Sequence, residues 1–158
     1  MVPGLRRPRR QIRGTVPALS YESLTGIPAE RFEDLMALYR SAWWSEARTP
    51  AAVRRLLEGP SLFFCIREQA SGRLVALARA ITDGVYKAMV FDVIVHPEHQ
   101  GEGLGARVME DLLGDPRLLA VEHVELYCLP EMEPFYERWG FTAEIGGVRL
   151  LRRTRAAS

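Results

Sequence analysis

The stretch that most limits how this chain can fold runs from Val93 to Ala106: an apolar run, VIV, then HPEHQ, then three glycines at alternate positions, Gly101, Gly103 and Gly105. An apolar strand that runs into glycines opening a helix must turn sharply at its end. Glycine allows left-handed backbone and close approach of a ligand, and the first helical turn offers unpaired N–H groups at the positive end of its dipole. This pattern predicts a site for a phosphate or pyrophosphate. It does not fit a nucleotide P-loop, because Ala106-Arg107 stands where Lys-Ser/Thr is needed. It does not fit the dinucleotide fingerprint either: the spacing is G-x-G-x-G and no βαβ repeat surrounds it.

The rest of the chain reads as one α/β domain. With 158 residues, 47% hydrophobic and 26% charged, it is long enough for a single buried core. Residues 15–21 are a candidate first strand. A helix opens at Pro28, with Phe32, Leu35, Met36, Leu38 and Tyr39 at helical spacing and Ala42 and Trp43 continuing the stripe, which puts Trp43 in the core. Thr49-Pro50 pairs an N-cap with proline at the first helical position, Val53, Leu56 and Leu57 form an apolar face, and Gly59-Pro60 is the stop. Residues 61–68 and 73–82 read as a hairpin around Gln69-Ala70-Ser71-Gly72, and residues 87–95 as the next strand. A helix over 104–113, a strand over 124–129, a short helix over 131–139 ended by Gly140, and a last hairpin of 141–143 with 148–151 complete the order. Such an order makes a mixed sheet flanked by helices.

Charge is unevenly spread. Residues 1–13 carry five Arg and no acid, residues 149–158 carry four Arg and no acid, and the intervening 14–148 hold 12 basic against 20 acidic residues. The expected organisation is therefore an Arg-rich arm over 1–13, a folded domain over 14–152 and a basic tail over 153–158. An acidic body favours a cationic small molecule as partner. The arm lacks interleaved aromatics, so nucleic acid is not the expected partner. No apolar run reaches the ~20 residues of a membrane span, and no apolar segment follows the Arg-rich start as in a secretory signal. Cys65 and Cys128 lie in apolar runs without CxxC spacing. This points to inert buried thiols, no metal and a cytoplasmic setting.

About thirty residues after the glycine loop comes Pro134-Phe135-Tyr136-Glu137-Arg138-Trp139-Gly140-Phe141. Gln100, Gly103 and Gly105 match Q/R-x-x-G-x-G/A, and with the downstream F-Y-x-x-x-G-F the chain resembles the GNAT superfamily of acetyl-CoA-dependent N-acetyltransferases over roughly residues 15–151. The resemblance implies a GNAT fold: a mixed, mostly antiparallel sheet of about six to seven strands, splayed at the acetyl-CoA cleft. It implies pantetheine binding by the backbone of Val93, Ile94 and Val95, and pyrophosphate binding by Gln100, Gly101, Glu102, Gly103, Leu104, Gly105 and Ala106. Tyr136 matches the position that contacts the cofactor and protonates the departing thiolate. The implied activity is acetyl transfer to a primary amine in a ternary complex, with a homodimer as the possible assembly. A non-catalytic acyl-CoA-binding regulatory module on the same fold is the alternative.

The base is open at this stage. Asp92 lies within an otherwise apolar strand, where a carboxylate is expensive to bury without a role. It reads either as the proton acceptor or as an outward or salt-bridged acid, with Lys87 or Arg79 as partner. His96 and His99 are the other chemically competent bases. Trp44, Asp83, Tyr86 and Tyr127 are the candidate acceptor-binding residues, since paired tryptophans stack on rings or cations and a carboxylate pairs with an amine.

Overall fold

The computed structural model describes residues 19–155. The Arg-rich arm and most of the expected first strand lie outside the described residues, as do the last three residues of the tail. Among the described residues one sheet of five strands runs in chain order: β1 (Tyr21–Thr25), β2 (Leu62–Glu68), β3 (Leu74–Thr82), β4 (Lys87–Val95) and β5 (His123–Glu125). The first four are antiparallel neighbours and β5 joins β4 in parallel. The mixed, mostly antiparallel α/β sheet is as expected, but with five strands instead of six to seven.

Helices cover both faces. On one side α3 (Leu104–Leu113) presents Leu104, Val108, Met109 and Leu112 to a core shared with Phe64, Ile66, Val75, Ala78, Ala80 and Val90. On the other, α1 (Phe32–Ser41) and α2 (Pro50–Glu58) bury Phe32, Leu35, Met36, Leu38, Tyr39 and Val53 against Phe63, Cys65, Leu77 and Ile94. Alternation along each strand sends successive side chains to opposite faces, so each strand feeds both cores. Alanines 76, 78 and 80 of β3 leave room for α3 to lie close over the strand.

Several local expectations change in the fold. The first strand is β1, beginning at Tyr21, because its register with Phe64 to Glu68 places Tyr21 opposite Glu68. Pro28 caps a 3-10 turn, Ala29–Arg31, and α1 follows it. α1 stops at Ser41: Ala42 is extended, and the Ser45 hydroxyl donates to the carbonyls of Tyr39 and Ala42. Trp43 is therefore carried out of the apolar stripe and is 72% exposed, not in the core. A short α4 (Pro116–Leu119) was not anticipated, although Asp115-Pro116 is the same cap-and-proline signal as Thr49-Pro50, and the Asp115 carboxylate accepts from Arg117 N. The helix expected over 131–139 splits into a 3-10 turn, Pro130–Met132, and α5 (Glu133–Glu137), with Gly140 at φ +81° turning the chain away. The last hairpin does not form among the described residues; 141–151 carry no strand.

Thr49 Oγ1 accepts from Ala52 N at 3.2 Å, with Pro50 preset for the first turn of α2. Thr49→Ala is expected to lower stability by about 1 kcal/mol in urea unfolding, through loss of that cap.

Candidate functional site

β4 carries the defining irregularity. Leu77 pairs with Ile94, but Arg79 pairs with Phe91, so a single residue of β3 stands against two of β4, Asp92 and Val93. Asp92 takes φ +56°, the left-handed region that a non-glycine residue rarely adopts. The extra residue is a β-bulge, and it reverses which side chains face which core: Val90 points to the α3 side and Ile94 to the α1 side.

The bulge delivers the Asp92 carboxylate into a ring of donors. Arg79 Nε lies 2.6 Å from Oδ2, Arg48 Nη1 2.9 Å from Oδ2, Arg48 Nη2 2.8 Å from Oδ1, and Tyr39 Oη donates to Oδ2 at 3.1 Å. Burial by itself would raise the Asp92 pKa, but the hydrogen bonds from Arg48 and the charge and hydrogen bond of Arg79 outweigh it and hold the carboxyl below its usual range. The same surroundings push the Tyr39 phenol well up, burial first and the Asp92 charge second. Of the alternatives open for Asp92, the structure shows the buried, salt-bridged one with Arg79; Lys87 pairs instead with Glu125. Arg48 was not found by sequence reasoning, because an arginine in a polar loop has no pattern that separates it from a solvated one. Its guanidinium also lies 4.5 Å above the Tyr39 ring and 5.6 Å from Trp44.

Beyond the bulge the sheet opens. β5 pairs with β4 only at Lys87, Ala88 and Met89. Residues 126–129, expected to extend the strand, join no ladder among the described residues, so the second half of β4 has an unpaired side. His96 N donates to Val75 O at 2.8 Å. The alternation of an antiparallel ladder then turns the amides of Val95 and Val93 to that free side, and the amide of Ile94 toward β3. Of the three expected backbone contacts, two face the gap.

At the end of β4 a 3-10 turn, Pro97–His99, leads into the glycine loop. Gln100 Nε2 donates to Val95 O at 3.3 Å, tying the loop back to the strand. Gly101 and Gly103 sit at φ +84° and +74°, with nothing within 4 Å of where a side chain would project. α3 begins directly after, with no side-chain cap on its first N–H groups. A Cβ on Gly105 would stand 3.4 Å from Phe135 Cζ and 3.6 Å from Val95 Cγ2, ordinary contact distances, so the start of α3 packs here against α5 and the end of β4 with room for an alanine. The donor set fits a pyrophosphate: open glycines in left-handed backbone and an uncapped helix start. Leu104 anchors that start in the core, Ala106 is half-buried, and Glu102 is exposed. Arg107, next in line, does not join the loop; its Nε donates to Ser23 Oγ at 3.0 Å and holds α3 to β1.

Tyr136 rises from α5 and is 9% exposed, edge-on to Phe135 and Phe141. Burial first and the neighbouring Cys128 second push its pKa up to about 12, so the phenol keeps its proton at neutral pH. Cys128 is exposed, not buried as expected, and its thiol pKa is raised by partial burial and then by Glu133 and Glu131, the opposite of an activated nucleophile. Cys65 is the buried thiol.

The remaining candidates divide. Tyr127 is exposed and meets Phe91 edge-on at 6.4 Å, beside the bulge. Trp44 is exposed near Arg48. Asp83 and Tyr86 lie together in the β3–β4 turn, where Asp83 Oδ1 accepts from the N–H groups of Val85, Tyr86 and Lys87; these bonds, that of Lys87 first, lower its pKa. Asp83 thus builds the turn. A cavity of about 210 Å³ lies between α2 and β3, lined by Arg48, Ala52, Val53, Leu56 and Arg79. His96 Nδ1 accepts from Glu98 N and His99 Nδ1 pairs with the Tyr21 hydroxyl, so both imidazoles brace the loop. Among the described residues no cluster of His, Cys, Asp or Glu could hold a metal, and no helix is long and apolar enough to cross a membrane.

Residues 29–141 match the acetyltransferase (GNAT) family. Serotonin N-acetyltransferase 2, chloroplastic, of Oryza sativa subsp. japonica is 41% identical over 105 residues, 65% of this chain and 52% of that protein. GCN5-related N-acetyltransferase 1, chloroplastic, of Arabidopsis thaliana is 33% identical over 102 residues, again 65% of this chain and 52% of that protein. The chain thus spans about half the length of these plant relatives. The crystal structure of a Trypanosoma brucei acetyltransferase superposes with a TM-score of 0.70 at 21% identity, covering 86% of this chain and all of the other, which shows a shared fold. The splayed sheet, the bulge and the glycine loop thus have their family: this chain belongs to the GNAT acetyltransferases.

Asp92→Asn leaves two guanidiniums around a neutral group and is expected to destabilise the protein by about 3–5 kcal/mol. Because the folded carboxyl titrates below its unfolded value of about 3.9, the advantage of wild type over Asp92→Asn is full above that pH. It disappears as the pH falls through the folded value. Urea unfolding of both proteins from pH 7 down to the acid limit of folding measures this difference.

Proposed function

We propose that this chain transfers the acetyl group of acetyl-CoA to a small aromatic or cationic primary amine, by direct attack within a ternary complex. The observation that carries the reading is the unpaired side of β4, which leads straight into the glycine loop with Tyr136 nearby on α5. Acetyl-CoA enters as a substrate whose thioester supplies a carbonyl open to attack by an amine. In this reading the chain's own groups do four things. The uncapped start of α3 and Gly101 to Gly105 hold the pyrophosphate. The free amides of Val93 and Val95 hold the pantetheine arm, as an added strand would be held. A β4 N–H stabilises negative charge on the carbonyl oxygen. Tyr136, protonated at neutral pH, donates to the departing sulfur.

Asp92 takes a positioning role in this scheme. A carboxylate already shared by two guanidiniums and a phenol is a weak proton acceptor, but it holds β4 in the bulged shape that frees its outer edge. The chemistry then draws on the unprotonated fraction of the amine itself. The acceptor class is supported by Trp44, Phe91 and Tyr127, rings on the bulge side of the sheet, and by the rice relative, whose name specifies an aromatic primary amine. A reducing, cytoplasmic setting accompanies the proposal, consistent with two free thiols.

Melting temperature with acetyl-CoA, followed by release of CoA thiol across an amine panel, tests the proposal. A shift with turnover supports it, whereas a shift with no turnover for any amine identifies the non-catalytic acyl-CoA-binding module instead. Tyr136→Phe is expected to lower kcat by about 10²-fold or more while acetyl-CoA binding stays close to wild type. Unchanged turnover with chemistry rate-limiting would remove the acid role. With two amines of different basicity, the rising limb of kcat/KM against pH is expected to follow the pKa of each amine.

A further inference from the structure

Two guanidiniums share one carboxylate beside a cavity. Arg48 and Arg79 both line the space of about 210 Å³ between α2 and β3, whose remaining wall is Ala52, Val53 and Leu56. Among the described residues Asp92 is the one carboxylate paired with either of them. Tyr39 completes the cluster as a phenol whose pKa is pushed up, so it carries no charge at neutral pH. The cluster is left with a net positive charge, and little of it reaches water: the Arg79 side chain is 8% exposed and that of Arg48 30%.

Donors are in excess as well. Arg79 gives Nε to Asp92 and Nη1 to Ser61, while Arg48 gives Nη1 and Nη2 to Asp92. Arg79 Nη2 and Arg48 Nε donate to no acceptor among the described residues. The fully enclosed unpaired side-chain atoms are Arg31 Nε and Asp111 Oδ2, so these two donors keep access to solvent-accessible space.

Shape and charge together define what fits. An apolar cavity of about 150 Å³ admits benzene, so this one has room for a single ring or short branched chain bearing a carboxylate. Ala52, Val53 and Leu56 suit an apolar body, and unspent guanidinium donors suit a carboxylate. Ala52 and Val53 lie in the first turn of α2, whose positive dipole end adds to the attraction for an anion. A cation there would meet two arginines, and a phosphate would turn charged oxygens toward an apolar wall.

We propose that this cavity binds a small organic monocarboxylate, with its carboxylate on Arg48 and Arg79 and its apolar body against Ala52, Val53 and Leu56. The site stands on the cavity and the charge cluster and does not rest on acetyl transfer. Its occupant is either a free acid or the carboxylate end of the acceptor amine.

Benzoate is the probe, with benzamide as its neutral counterpart and acetate as the same charge without a body. In proton–nitrogen correlation spectra of the full chain, benzoate is expected to shift the amides of Ala52, Val53 and Leu56 and to saturate. Benzamide and acetate are each expected to bind about 10-fold more weakly or worse, the first losing charge-assisted hydrogen bonds and the second apolar contact. Ala52→Phe, which fills the cavity and leaves both guanidiniums, is expected to abolish the shifts with circular dichroism unchanged. Arg48→Gln is expected to weaken benzoate about 10-fold without weakening benzamide. Acetylation of aminomethylbenzoate against benzylamine then identifies the source. A KM about 10-fold lower for the amino acid, with benzoate competing, assigns the carboxylate to the acceptor. Equal KM values with benzoate still bound assign a separate acid. If neither amine turns over, the acetyl-transfer reading fails while benzoate binding stands. Benzamide binding as tightly as benzoate overturns the proposal, as do shifts that persist in Ala52→Phe or the lack of any saturable shift.

Discussion

The buried carboxylate of Asp92 is the constraint around which the central strand is arranged. A charge at this depth is tolerated only with full compensation, and Arg79, Arg48 and Tyr39 supply it from β3, from the loop after α1 and from α1 itself. These ligands reach Asp92 because β4 is bulged there with φ +56°. The same bulge shifts the strand's faces so that Ile94 seals the α1-side core and the amides of Val93 and Val95 turn outward. Removing the charge cluster would leave a strained bulge with no compensation for its strain.

The opening of the sheet follows from how little β5 offers. Three residues pair with β4, and the chain then departs toward α5. Strand edges inside a domain normally find a partner, so the interior edge left bare beside the glycine loop is the feature on which the proposed cofactor site rests. Phe135 packs against the start of α3 at Gly105, and its neighbour Tyr136 on α5 keeps its phenol buried and protonated. Loop, strand and helix are thus coupled through a few close contacts between small and aromatic residues.

Sequence reasoning reached the parts of this arrangement that are local. The strand–glycine loop–helix unit, the Thr49-Pro50 cap, the apolar faces of α1 and α3 and the short helix bearing Tyr136 are each written in residues a few positions apart. It failed where a local pattern was overruled. Trp43 continues the helical stripe in spacing, but Ser45 draws the chain out of the helix two residues earlier. Residues 124–129 have strand composition, yet β4's bulge carries their partner away after Glu125. The sequence of 141–151 suits a hairpin, and its Gly-Gly turn forms, but among the described residues these positions join no ladder.

Composition, periodicity and motif spacing by themselves determined the α/β class of the fold and the glycine loop that opens a helix, because those rest on contacts within a turn or two of chain, while Tyr136 became a candidate through the family resemblance. Only the tertiary structure decided what surrounds Asp92. Its partners lie 13, 44 and 53 residues away. Whether a carboxylate is a free base or a neutralised anchor depends on which cations fold onto it, and no short-range pattern encodes that.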